Sequence, residues 1–220
     1  MRLGLGPGRE TEGDFVLAVP DRGLLVLEVK GGRIEVRDGR FYQNNREMDE
    51  APRQQGHTFV KALADLYLGR SVDESLIRQA MTDGLLRITT CPSRSSVADK
   101  AALEVDKLLG ERLSPGDVAV LSVRGGTHAE SIIHAGRLGR HALLKATDAG
   151  IDGSVVGDTF LRFKGLERPA IVITDLHLLA DEPRDVRMHI ALTRALSAVR
   201  IVAAQEDLVR DPVLAKFASR

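Results

Sequence analysis

The sequence predicts an α/β protein in two parts, a small N-terminal module and a larger domain built on a parallel sheet. Three observations carry this. Short Leu-rich and β-branched runs crowd residues 14–43. From Leu85 onward such runs alternate with helix-length amphipathic segments, as strands linked by crossover helices do. Several of the later runs are continuously apolar, which suits strands covered on both faces. The expected boundary lies between residues 84 and 85.

In the first part, "DFVLAV" (14–19) and "LLVLEVK" (24–30) read as strands joined by the turn "PDRG". Its Pro fixes one torsion and its Gly supplies a permissive one. "GRIEVRDGRFYQ" (32–43) reads as a second hairpin with Asp38-Gly39 at its tip. "APRQQGHTFVKALADLYLG" (51–69) places apolar residues at helical spacing, and "VDESLIRQAMTDG" (72–84) reads as a short helix ending at Gly84.

In the second part, "LLRITT" reads as a strand, and "SSVADKAALEVDKLLGERL" reads as a long helix with Ser95 or Ser96 as N-cap. "DVAVLSV" (117–123) is a buried-strand run, and "GGTHAESIIHAGRLGRH" reads as a helix. "SVVGDTF", "AIVITDL" and "AVRIVAA" are three further buried strands, with a helix over 185–196 before the last. There is no internal repeat and no low-complexity tract.

Composition narrows the function classes. The 220 residues carry 31 basic and 31 acidic side chains, which argues against a wholly basic nucleic-acid coat but permits a local basic groove. Cys91 is the single cysteine, so no internal disulfide forms, as expected in a reducing cytoplasm. No secretory signal is visible, and no apolar run approaches the roughly 20 residues that span a bilayer. A cytoplasmic protein without membrane partners is the expectation. The six histidines show no metal-ligand spacing.

Two constellations carry chemistry. Asp14 opens one strand, and Glu28 and Lys30 close the next on the same face, since residues i and i+2 of a strand project together. Antiparallel pairing through the short turn would set Asp14 near Glu28. Two carboxylates and an ammonium group suit phosphodiester hydrolysis assisted by Mg²⁺, which takes hard oxygen ligands and activates water. The plain alternative is a solvated ion pair, contributing about 0–1 kcal/mol. "EGDFVLAVPDRGLLVLEVKGGRIEVRDGRFYQ" with the following "APRQQ" resembles the NERD (nuclease-related) domain, a branch of the restriction-endonuclease-like fold, over about residues 9–65. The resemblance implies an active site of Asp14, Glu28, Lys30 and Gln55, with Asp14 and Glu28 as ligands of Mg²⁺. The family's leading helix with its further acidic residue has no evident counterpart here.

The second constellation is "DTFLRFKGLERPAIVI" followed by "HIALTRALSAVRIV". Taken alone, Lys164-Gly165 could be a plain turn, Arg194 could cap or pair at a helix surface, and Thr193 could back-bond to its helix. In order and spacing, the two segments resemble motifs V and VI of the UvrD/Rep-like superfamily 1 DNA helicases. Thr159, Lys164, Gly165, Leu166 and Glu167 match the first motif, and Ala191 to Ala195 match the second, with Leu161 where the family carries His. The resemblance implies a C-terminal RecA-like domain. In it, helix-borne Arg194 would be an arginine finger on a γ-phosphoryl group. Glu167 would accept from the nucleotide ribose, with Gly165 beside it. Thr159 and Lys164 would contact single-stranded DNA. Arg94, in "CPSRSS", lies near the place of a further family arginine.

No Walker A loop, G-x-x-x-x-G-K-[ST], occurs in the chain, and about 20 residues separate the two resembling parts. The ATP site is therefore expected to be incomplete, with no ATP hydrolysis by this chain alone. Two functions are expected to compete. One is an Mg²⁺-dependent DNA nuclease joined to a helicase-derived domain. The other is a non-catalytic DNA- or partner-binding module that complements an ATPase in trans.

Overall fold

Residues 13–19, 23–29, 34–37, 40–43, 46–47, 50–111, 113–124, 129, 131–178 and 184–218 are described by the computed structural model, with side chains from residue 57 onward. The described residues of the first unit are strands up to Glu47. β1 (Gly13–Val19) and β2 (Gly23–Val29) form one antiparallel ladder. β3 (Ile34–Arg37), β4 (Arg40–Gln43) and β5 (Arg46–Glu47) form an antiparallel meander. The two residues between β3 and β4 are Asp38 and Gly39, as a tight hairpin requires.

The chain divides into compact units at 50/51, not at 84/85. The reason is visible in helices α1 (Glu50–Tyr67) and α2 (Glu74–Thr82). Phe59, Val60, Leu63, Ile77 and Ala80 are buried in one cluster with Leu86, Ile171 and Ile201 of the larger sheet. Both helices therefore cover the second unit. Asp73 starts α2 by accepting from the Ser75 N–H at 2.9 Å.

The second unit is built on a parallel sheet of five strands: β6 (Leu86–Cys91), β7 (Val118–Ser122), β10 (Val156–Thr159), β11 (Arg168–Thr174) and β12 (Ala195–Ala204). Their order is β10-β7-β11-β12-β6. Alternate residues face opposite layers. Ala119 and Leu121 pack with α1 and α2, whereas Val118 and Val120 pack with Val97, Ala101, Val105 and Leu108 of α3 (Val97–Gly110). All five residues of β7 are buried, so its continuous apolar run reflects cover on both faces.

Two expected helices differ. Residues 132–135 form a 3-10 turn, and β8 (Arg137–Leu138) pairs antiparallel with β9 (His141–Ala142) where "GGTHAESIIHAGRLGRH" reads as helix. Gly136 (φ 66°) and Gly139 (φ 57°) break the segment in the left-handed region that favours glycine. The helix expected over 185–196 is α4 (Arg184–Leu192), and it stops before Thr193. α5 (Gln205–Arg210) follows β12. Loops at the N-terminal end of β7 are tightly apposed. A Cβ on Gly116 would lie 1.6 Å from the Asp152 carbonyl oxygen. Among the described residues no helix is long and apolar enough to cross a membrane.

Candidate functional site

The segment 159–167 leaves the C-terminal end of β10 and returns to the N-terminal end of β11. Thr159 is level with Ser122, and Ser122 with Thr174, at the C-terminal edge of the sheet. Arg168 lies six residues back along β11, about 20 Å away at ~3.3 Å per residue. The sheet thus has two chemically distinct edges, and this segment belongs to both.

At the C-terminal edge Thr159 is buried, and its hydroxyl accepts from the Arg162 N–H at 3.2 Å. Its Oγ therefore orders the loop. The Phe163 N–H donates to the Thr159 carbonyl at 3.1 Å and completes one tight turn. Phe160 and Phe163 are buried beneath this turn, while Leu161, Arg162 and Lys164 are exposed. The Lys164 ammonium makes no hydrogen bond or ion pair among the described residues, while its backbone N–H donates to the Leu161 carbonyl at 3.2 Å. Arg162 reaches only to Asp158, at 3.6 Å. Asp158 is itself buried and accepts from the Ala146 and Thr159 N–H groups, so it is a fixed acceptor under the loop. The Arg187 guanidinium lies 5.4 Å above the Phe160 ring. Burial, then the neighbouring Arg124, pulls Arg187 below the usual arginine range. Asp175 ends β11 in a left-handed conformation (φ 64°), and the Ser131 hydroxyl donates to its carboxylate.

At the N-terminal edge the structure brings Glu167 and Arg194 together. Arg168 and Ala195 are partners on adjacent strands, and the Arg168 N–H donates to the Arg194 carbonyl at 3.1 Å. Glu167 and Arg194 each precede one of these partners. Glu167 is exposed and its carboxylate is unpaired among the described residues. Gly165 (φ 86°) lets the chain reverse into β11, a turn that a side chain would strain. Arg194 is not on the helix but two residues past its end, where it caps α4: its Nε donates to the Ile190 carbonyl at 3.2 Å. Thr193 back-bonds to the same carbonyl at 2.9 Å.

Arg94 is placed elsewhere. It follows β6 at the opposite edge and grips Asp207 with two hydrogen bonds of 2.8 and 3.1 Å. Glu206 adds a contact at 3.0 Å. This arginine fixes α5 to the end of β6. Arg162, which the sequence motifs do not single out, is the second exposed cation of the loop. Its signal was the alternation of basic and aromatic residues in "FLRFKG".

Of the first constellation, Asp14 and Glu28 are directly opposed partners in the β1–β2 ladder. Lys30 and the side chains of Asp14, Glu28 and Gln55 lie outside the described residues. Asp14 and Glu28 both bear carboxylates, the donor type that a hard divalent cation takes. Among the described residues no cluster of three or more metal-ligating side chains occurs.

No family model matches this chain. No curated protein matches it. Among solved structures, the C-terminal domain of a possible DNA helicase from Lactobacillus plantarum WCFS1 is similar, with a TM-score of 0.51 and 17% identity. The similarity covers 74% of this chain and 89% of that one. It is a likeness of fold alone, an α/β domain around a five-stranded parallel sheet.

Proposed function

We propose that the second unit is a DNA-processing, helicase-type RecA-like half that binds single-stranded DNA and completes a nucleotide site on an ATPase supplied in trans. The observation that carries this is the placement of Glu167 and Arg194 one residue before the strand partners Arg168 and Ala195, at one edge of the sheet. The loop between β10 and β11 links that edge to the exposed Arg162 and Lys164. A carboxylate and a guanidinium on adjacent strand ends suit a ribose hydroxyl and a phosphoryl group. Two unburied cations on a short ordered turn suit successive backbone phosphates. The ATP-hydrolysing chemistry belongs to the partner's phosphate cradle, and this chain supplies orientation and charge.

Binding of a labelled oligo-dT followed by fluorescence anisotropy tests the DNA part. Affinity is expected to fall with salt, and Lys164→Ala and Arg162→Ala each reduce the log–log salt slope by about 0.7, the value for one single-strand phosphate contact. A flat titration at low salt removes the proposal.

The direct opposition of Asp14 and Glu28 favours a second activity, a NERD-type nuclease using Mg²⁺. In it the two carboxylates hold the metal, Lys30 offsets phosphate charge, and Gln55 completes the site. The metal supplies an activated water when bound. Mg²⁺-dependent DNA cleavage lost in both Glu28→Ala and Lys30→Ala, with oligo-dT binding retained, is the expected result. Cleavage unchanged in those variants removes the assignment.

A further inference from the structure

Arg194 would face a nucleotide, yet its fork is already occupied. The Thr193 N–H donates to the His189 carbonyl at 3.1 Å, as a continuing helix requires. The Arg194 N–H instead donates to the Ala191 carbonyl at 3.2 Å, which tightens the last turn. That shift frees the Ile190 carbonyl from backbone pairing, one of the orphan acceptors every helix end leaves. Two side chains take it: the Thr193 hydroxyl at 2.9 Å and Arg194 Nε at 3.2 Å. Arg194 Nη2 then donates to Thr193 Oγ1 at 3.1 Å and closes a ring of three groups. Both acceptors in this ring are neutral. No carboxylate among the described residues pairs with Arg194. A phosphate oxygen adds its own negative charge to such a bond and can be gripped by two donors of the guanidinium fork, which neither neutral acceptor here offers. Ile190, Thr193 and Arg194 are only half-buried, so water can take the Ile190 carbonyl when a side chain leaves.

We propose that this ring is a parking place. Thr193 is a positioning residue that holds the Arg194 guanidinium against the end of α4. The phosphate chain of a nucleoside triphosphate, presented by the ATPase half, draws it away. The proposal rests on the nucleotide reading above and adds its regulation: the arginine is withheld until an anion competes with two neutral acceptors.

The test uses the full chain, ¹⁵N-labelled, with the arginine side-chain resonances followed by NMR and magnesium tripolyphosphate as probe. In the ligand-free protein the Arg194 Nη groups are expected to give separate signals, because the bond to Thr193 hinders rotation. Thr193→Val, which keeps the shape but lacks the oxygen, should average those signals and bind tripolyphosphate several-fold more tightly. Thr193→Ser should restore wild-type behaviour in both. Averaged Nη signals in the ligand-free wild-type chain overturn the parking. Unchanged or weaker binding by Thr193→Val overturns the role of Thr193. Tripolyphosphate that leaves the Arg194 signals unmoved in every variant overturns the nucleotide reading and the release step with it, while the ligand-free spectra still decide the parking.

Discussion

Tyr67 buries its phenol against a carboxylate 144 residues away in sequence: its hydroxyl donates to Asp211 Oδ2 at 3.0 Å. Asp211 accepts with its other oxygen from the N–H groups of Val213 and Leu214, so one carboxylate ties the end of α1 to the C-terminal turn. Burial, then the Asp211 charge, holds the Tyr67 phenol well above its ordinary value. A group whose folded pKa is raised stabilises fully below its unfolded pKa and loses that contribution as pH rises toward the folded one. Stability should therefore fall above about pH 10, where the unfolded chain's tyrosine ionises. Burial also lifts Asp211 above the usual carboxylate range, which acts in the acid limb with the same sense: stability is gained as pH falls through the raised value. Tyr67→Phe should cost about 1–3 kcal/mol at neutral pH, because Asp211 Oδ2 loses its donor. It should also flatten the alkaline slope. Urea unfolding at neutral and alkaline pH measures both, and an unchanged slope would show that the phenol does not titrate differently in the folded state. Nothing in the local sequence around Tyr67 announces this pair.

Elements lock together through a second buried charge group. Glu104 of α3 is 1% exposed and meets Lys107 at 2.7 Å, Thr89 of β6 at 3.1 Å, and Arg87 and Arg200 at 3.5 Å. Arg200 of β12, also 1% exposed, reaches Glu111 at 3.2 Å. Its burial, the dominant influence, pulls it below the usual arginine range. Glu104→Ala leaves the buried Arg200 with the half-exposed Glu111 as its remaining anionic partner and should cost up to about 3 kcal/mol. The double variant Glu104→Met/Arg200→Met should be more stable than Glu104→Ala, because no buried charge remains and the partners left over, Arg87, Lys107 and Glu111, reach solvent; a double variant that is less stable would refute the pairing. Strand existence was legible because β7, β10, β11 and β12 are buried on both faces and so read as apolar runs. Residues 131–141 were not, and most of 125–130 lies outside the described residues. The Ile and Leu positions of 131–141 fit a helical period, and the glycines at 136 and 139, which carry the positive φ angles, were outvoted. The end of α4 was missed because Thr193 and Arg194 continue a helical pattern, while the side chains of those two residues, and not the backbone, satisfy the last carbonyl.

For the whole molecule, the candidate residues were legible where the pattern is local. Lys164, Gly165 and Glu167 fall within four residues, and Arg194 is separated from them by one strand and one helix. The plain alternatives were legible too, since Arg194 does cap its helix and Thr193 does back-bond, and neither fact removes Arg194 from the N-terminal edge of the sheet. Arg94 was not legible, because its partner Asp207 is 113 residues distant. The boundary was missed for a related reason: α1 and α2 lie beside the strand-rich segment in sequence but beneath the parallel sheet in space. Phe59, Val60, Leu63 and Ile77 are each 2% exposed or less and share a cluster with Leu121, Ile171 and Ile201. Deleting large buried side chains costs about 2–5 kcal/mol apiece, against a total stability of about 5–15 kcal/mol for a domain. A chain beginning at residue 85 loses four of them at once and exposes one face of the sheet. It should fail to unfold cooperatively and should bind a hydrophobic dye. A chain beginning at residue 51 keeps the whole cluster and should melt in a single transition close to that of the second unit in the full protein. Calorimetry of the two truncations separates the alternatives. Cooperative melting of the chain from 85 would mean that α1 and α2 are dispensable to the sheet they cover.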